Sequence, residues 1–175
     1  PGSGPGWDSR VRNHRRPLRV TLVRKLSEGL YLFSITLWIG GMWAVGYIVA
    51  PVLFASLGDR QQAGVVAGKL FALMGWIGLG AATYVVVFLL VRWGAQAFRR
   101  SVFWLVVCAA LLVAAGQFGI QPLMVQLKAD AFPRDVMESV MRDRFVAWHG
   151  ISSILYLVQS LLGLWLVVWS DRGLR

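Results

Sequence analysis

Four apolar runs follow one another along the chain, at about residues 30–57, 70–93, 102–125 and 147–169. Each is long enough to cross the roughly 30 Å of a bilayer's hydrocarbon as a helix. None carries the broad charged face of a helix on the surface of a soluble protein. The pattern therefore predicts an all-α polytopic membrane protein, a four-transmembrane-helix bundle over residues 26–175. A basic arm at residues 1–25 precedes it, and the opening Pro1-Gly2-Ser3-Gly4-Pro5-Gly6 is flexible by composition. The first run is too long for the hydrophobic part of a cleavable signal peptide.

Two stretches between the runs have helical spacing of their own. Ala63, Val66, Ala67 and Leu70 recur at helical intervals, so the second span is expected to begin above the membrane. Further on, Pro133 suits a first helical turn, Asp135 suits the positive end of a helix dipole, and Val136, Val140 and Met141 share a face. These residues predict an outer amphipathic helix between the third and fourth spans. Pro51 and Pro122 are expected to kink their helices and release backbone carbonyls. Gly40, Gly41 and Gly46, with Gly75, Gly78 and Gly80, would let the first two spans approach closely.

Composition supports a bilayer as the solvent: 57% of residues are hydrophobic and 15% charged. Charge sets the topology. Twelve Lys and Arg lie on the side that holds both termini and six on the other, where Asp59, Asp130, Asp135, Glu138 and Asp143 offset them. By the positive-inside rule both termini are cytoplasmic, as four crossings require, and the expected location is a bacterial inner membrane. Arg10, Arg12, Arg15, Arg16, Arg19, Arg24 and Lys25 form a membrane-surface cluster that meets anionic headgroups. The net charge of +10 is spread around hydrophobic segments instead of forming a compact basic domain, which argues against nucleic acid as a partner. Trp93, Trp104, Trp148 and Trp169 fall near span ends as interfacial anchors. A single cysteine, Cys108, excludes an intrachain disulfide.

Candidate chemistry is concentrated in two polar stripes. On the fourth span His149, Ser152, Ser153, Tyr156, Gln159, Ser160 and Gly163 follow one face; on the third, Ala110, Ala114, Gln117, Gln121 and Met124 do the same. Polar groups in hydrocarbon turn inward, so the two stripes are expected to face each other or a shared cavity, either as interhelical glue or as the lining of a site. His149 is the first candidate for a titrating or metal-binding group, with Met124 beside it as a candidate metal ligand. Met42 and Met74 could add soft thioethers, although methionines in apolar helices more often pack. Lys69 is a further candidate for the lining of the cavity, although it and Glu28 sit at span edges, where such side chains snorkel. The sequence contains no Walker loop, nucleophile elbow or zincin helix, so a soluble-type enzyme is not indicated.

Several segments together carry a family resemblance. Gly68-Lys69-Leu70-Phe71, the Gln121-Pro122 pair and the run from Arg144 to Ser153, with its F-x-x-x-H-G-x-S-S pattern, resemble the TMEM205-like (DUF4149) family of four-span proteins over roughly residues 26–168. Leu37-Trp38-Ile39-Gly40-Gly41 is similar to the first span of a wider group that includes CopD-type copper-import and HemJ-type proteins. The resemblance implies handling of a metal, copper included, or of a small solute. Its HemJ-like side implies haem-linked redox chemistry, with Tyr31 standing where that first span has its His. The leading expectation is a non-enzymatic protein that binds or conducts a small solute or soft metal ion through a cavity between spans. The alternatives are a structural or assembly subunit of a homo-oligomer or larger membrane complex, and a haem-linked redox enzyme.

Overall fold

The computed structural model describes residues 15–131 and 136–175, with side chains from Thr21 onward. The side chains of Arg10, Arg12, Arg15, Arg16 and Arg19, and the predicted helix start at Pro133 and Asp135, lie outside the described part. Four helices are long and apolar enough to cross a membrane: span 1 (Thr21–Ser56), span 2 (Arg60–Arg99), span 3 (Ser101–Ala131) and span 4 (Arg142–Val168). Among the described residues there is no strand. The helices run well past the apolar cores, because a helix can continue into the headgroup region once its backbone bonds are internally satisfied.

Each proline in a span is absorbed in the same way. Span 1 widens into a π-helical turn at Ala44–Val49 just before Pro51, and span 3 does so at Ala115–Ile120 just before Pro122. Proline has no N–H, and its ring collides with the carbonyl four residues back. The wider π turn moves that carbonyl away, so Ala50 N–H donates to the Val45 carbonyl and Gln121 N–H to the Gly116 carbonyl. In each register the next carbonyl, of Gly46 or Gln117, faces a proline nitrogen without hydrogen.

The connections follow from local chemistry. Asp59 caps span 2 by accepting hydrogen bonds from the backbone N–H of Gln61 (2.8 Å) and Gln62 (3.2 Å), so this helix begins a full ten residues before its apolar run. At the other end Gly94 adopts φ +53°, a conformation that favours glycine, and turns the chain into a short 3-10 helix, Gly94–Arg99. Among the described residues the outer connection differs from the expected amphipathic helix: they hold one 3-10 turn, Val136–Glu138, tied by the Ser139 hydroxyl to the Val136 carbonyl, and span 4 starts at Arg142. Val136 is buried while Val140 is exposed, so the apolar residues there do not share one protected face.

The core occupies the half of the bundle nearer the termini. Tyr31, Ile35, Trp38 and Ile39 of span 1 meet Ala82, Val85, Phe88 and Leu89 of span 2, Val102, Val106 and Ala109 of span 3, and Leu166 of span 4. Glycines admit the large side chains of this core. The Trp38 indole lies on Gly78, where an added Cβ would stand 2.7 Å from its Nε1, and Ile39 lies on Gly163. Gly41 of span 1 likewise receives Met74 of span 2, whereas Gly40 and Gly80 meet nothing within 4 Å. Gly78→Ala is therefore expected to displace Trp38 and destabilise the protein by about 1–3 kcal/mol. Gly40→Ala should leave stability nearly unchanged, and thermal unfolding of the two detergent-solubilised variants checks the contrast.

Candidate functional site

A layer of polar and aromatic groups crosses the bundle at the level of the π turns. Tyr156 of span 4 reaches across to span 1, where its hydroxyl donates to the Met42 carbonyl. Its ring lies so close over Gly46 that no side chain would fit there. One turn along span 4, buried Ser160 accepts a hydrogen bond of 2.9 Å from Tyr47, which lies within the π turn of span 1. The rings of Tyr47 and Phe71 both meet the Tyr156 ring edge-on, with centroids 5.9 Å and 5.5 Å away. Phe71 stands one helical turn before Gly75 of span 2, and the Gln117 amide, within the π turn of span 3, is pressed against Gly75. All four spans thus contribute, and the charge-free layer offers two phenols, an amide, the thioether of Met74 against Gly41, and carbonyls whose helical donors the prolines removed.

The fourth-span stripe divides along its length. Tyr156 and Ser160 face the bundle, and their hydrogen bonds run to span 1, although span 4 also packs on span 3. Ser152, Gln159, Gln121 and Met124 are half-buried. His149 and Ser153 are exposed: the imidazole stacks on Phe145 at 5.8 Å, and the Ser153 hydroxyl donates to the His149 carbonyl 2.9 Å away. Such a bond to the preceding turn satisfies the hydroxyl within its own helix. Near this outer end Lys128 donates to the Gly64 carbonyl at 3.0 Å, with its ammonium 5.8 Å from the Phe145 ring. Lys69 is exposed.

Tyr31 belongs to a different place. It is fully buried in the core, stacks on Phe88 at 4.7 Å and donates to the Ser170 carbonyl at 3.1 Å. It is thus at the terminal end of the bundle and His149 is at the outer end, so these two residues do not form a pair of ligands for one haem. Among the described residues no three His, Cys, Asp or Glu side chains cluster in a way that could hold a metal ion.

The terminal end contains a polar centre that charge counting passed over. Glu28 accepts from Arg24 (3.0 Å) and Arg92 (2.8 Å), joining spans 1 and 2. Arg92 also reaches the Leu174 carbonyl, Trp93 donates to the Gly173 carbonyl at 3.0 Å and Arg100 to the Arg172 carbonyl at 2.9 Å. The short helix Ser170–Leu174 is thereby held by its own carbonyls, which lack intrahelical donors at a helix C-terminus and attract cations. Arg100 in turn lies over the Trp93 ring at 3.3 Å. Arg92 carried a sequence signal, a charge within the last turn of an apolar run, but nothing in the sequence named Glu28 as its partner.

A family model described as a domain of unknown function (DUF4149) matches residues 33–133. That region takes in most of span 1 and all of spans 2 and 3, and ends before span 4, so the Phe145 to Ser153 motif lies outside it. Comparisons with curated proteins and with solved structures find no match.

The interhelical bonds of the layer have a measurable energy. In a double-mutant cycle of Tyr47→Phe and Ser160→Ala, the coupling should be about 0.6 kcal/mol, within a ceiling of roughly 1.7 kcal/mol. Reversible unfolding in mixed micelles provides the measurement, and zero coupling would mean that the hydroxyls do not interact in the folded protein.

Proposed function

The chain belongs to the DUF4149 family, and we propose that this member is a non-enzymatic membrane protein that binds and conducts a small solute across the polar layer at its π turns. The observation that carries the reading is the pair of interrupted helices, at Ala44–Val49 and Ala115–Ile120, meeting Tyr156 and Gly75 in one layer. Irregular backbone at membrane depth persists only where protein buries it or where it borders a cavity, and discontinuous helices recur at the binding sites of transporters. π turns are likewise frequent at functional sites.

The chemistry of the layer narrows the cargo. Phenol, amide, carbonyl and thioether groups suit a small neutral solute, or a soft monovalent metal ion that exchanges water for oxygen and sulfur ligands. Nothing in the layer compensates a full negative charge. Tyr156 and Tyr47 would hold the cargo by hydrogen bonds now made to Met42 and Ser160, and Gln117 would meet it from span 3. The reading places the protein in a bacterial inner membrane with both termini cytoplasmic, supported by the excess of Lys and Arg on the terminal side.

Proteoliposomes test it with two probes: stopped-flow light scattering after a glycerol or urea gradient, and accumulation of silver(I) by elemental analysis. At least one probe should enter faster than into protein-free liposomes. Tyr156→Phe and Gln117→Leu should each slow that entry, by about tenfold if the lost contact contributes roughly 1.4 kcal/mol at the barrier. Equal rates with and without protein for every probe would overturn the proposal.

A further inference from the structure

A second site lies away from the polar layer, at the terminal end of spans 1 and 2. There a groove of about 590 Å³ runs between the two helices. We infer that it is a binding site for one anionic phospholipid of the leaflet that faces the termini, with an acyl chain along the groove and the phosphate at the arginines.

The walls are apolar: Val23 from span 1 and Val87, Phe88 and Val91 from span 2. The hydroxyls at its floor are already engaged. Tyr84 donates to the Ser27 carbonyl at 3.1 Å and Ser27 to the Arg24 carbonyl at 2.9 Å, so the groove presents little demand for a polar guest. Its outer wall is open to the side, since Val91 is 82% exposed and Val87 51%. On a membrane-spanning helix that direction is where acyl chains lie.

The mouth of the groove is basic. Arg24 and Arg92 line it, and a smaller hollow, lined by Thr21, Arg24, Lys25 and Glu28, adjoins it through Arg24. Among the described residues three cations and one carboxylate line the two hollows. Glu28 bridges Arg24 and Arg92 and holds them together, yet an excess of positive charge remains. A phosphate diester supplies the missing negative charge, and acceptor oxygens for the exposed Arg24 and Lys25. A free phosphate would leave the valine and phenylalanine walls uncovered, and a neutral lipid would leave the charge uncompensated; an anionic phospholipid satisfies both.

Native mass spectrometry of the full chain, purified in detergent and exposed to an equimolar mixture of phosphatidylglycerol and phosphatidylcholine, tests the inference. Phosphatidylglycerol should be retained preferentially, as a single adduct. Two variants alter exposed side chains and spare the Glu28–Arg92 bridge. Arg24→Gln combined with Lys25→Gln should weaken retention by about fivefold per charge removed. Val91→Trp, which fills the groove, should abolish the adduct while leaving the melting temperature of the lipid-free protein unchanged. Equal retention of the two lipids would overturn the inference, and so would an adduct that survives Val91→Trp. Displacement of the lipid by inorganic phosphate at matched ionic strength would identify a simple anion site and overturn it as well.

Discussion

Hydrocarbon offers no hydrogen-bonding partner, and that constraint governs everything between the two ends of this bundle. Proline in a helix interior costs about 3 kcal/mol where its effects are not relieved. Here each of the two spans that carries a proline within the membrane relieves them by opening one π turn. The opening shifts the helical register by one residue and places Tyr47 and Gln117 on widened turns. Large polar side chains from the neighbouring spans then meet the altered backbone. At Gly46 and Gly75 the Tyr156 ring and the Gln117 amide occupy the space that a Cβ would take. The prolines, π turns, tyrosines and glycines are therefore one device.

The bundle is unevenly held. Near the termini, large buried side chains from all four spans interlock, and a polar centre of Glu28, Arg92, Arg100 and Trp93 draws the short terminal helix beneath them. Towards the outer end the buried residues are fewer and smaller, among them Ala63, Ala67 and Ala131. Among the four spans the apolar stretch of span 4 is the least buried and that of span 2 the most. Span 2 is thus the central element, and span 4 packs against spans 1 and 3. An uneven bundle of this kind has a rigid end and an end where opening disrupts less packing.

Much of this was legible in the sequence. Apolar length gave four spans because the bilayer imposes a fixed thickness, and Pro51 and Pro122 announced two interruptions because proline chemistry is local. The spacing from Tyr156 to Ser160 to Gly163 marked the face of span 4 that turns inward. Periodicity identifies a face but not the neighbour that it meets, which is why the hydrogen bonds of that stripe run to span 1 and not to the glutamines of span 3. Tyr47 carried no signal apart from standing four residues before a proline. Glu28 and Arg92 are 64 residues apart, and only the antiparallel pairing of spans 1 and 2 brings them together. The outer amphipathic helix was read from spacing alone, and the described part of that connection holds a 3-10 turn, Val136–Glu138.

His149 and Tyr156 show how depth decides the meaning of a polar residue. His149 lies within two turns of the start of span 4, is exposed, and rests against Phe145, so water and headgroups can satisfy its nitrogens. Its presence needs no internal partner. Tyr156 lies near the middle of the same helix, beyond the reach of interfacial water, and its hydroxyl has to find an acceptor inside the protein. The Met42 carbonyl, two residues before the π turn begins at Ala44, is that acceptor. A histidine is the more versatile chemical group, but a phenol held at mid-membrane against a distorted backbone is the rarer and more constrained arrangement. Constraint of that kind, and not side-chain reactivity, is what sets the π turns apart from the rest of the bundle.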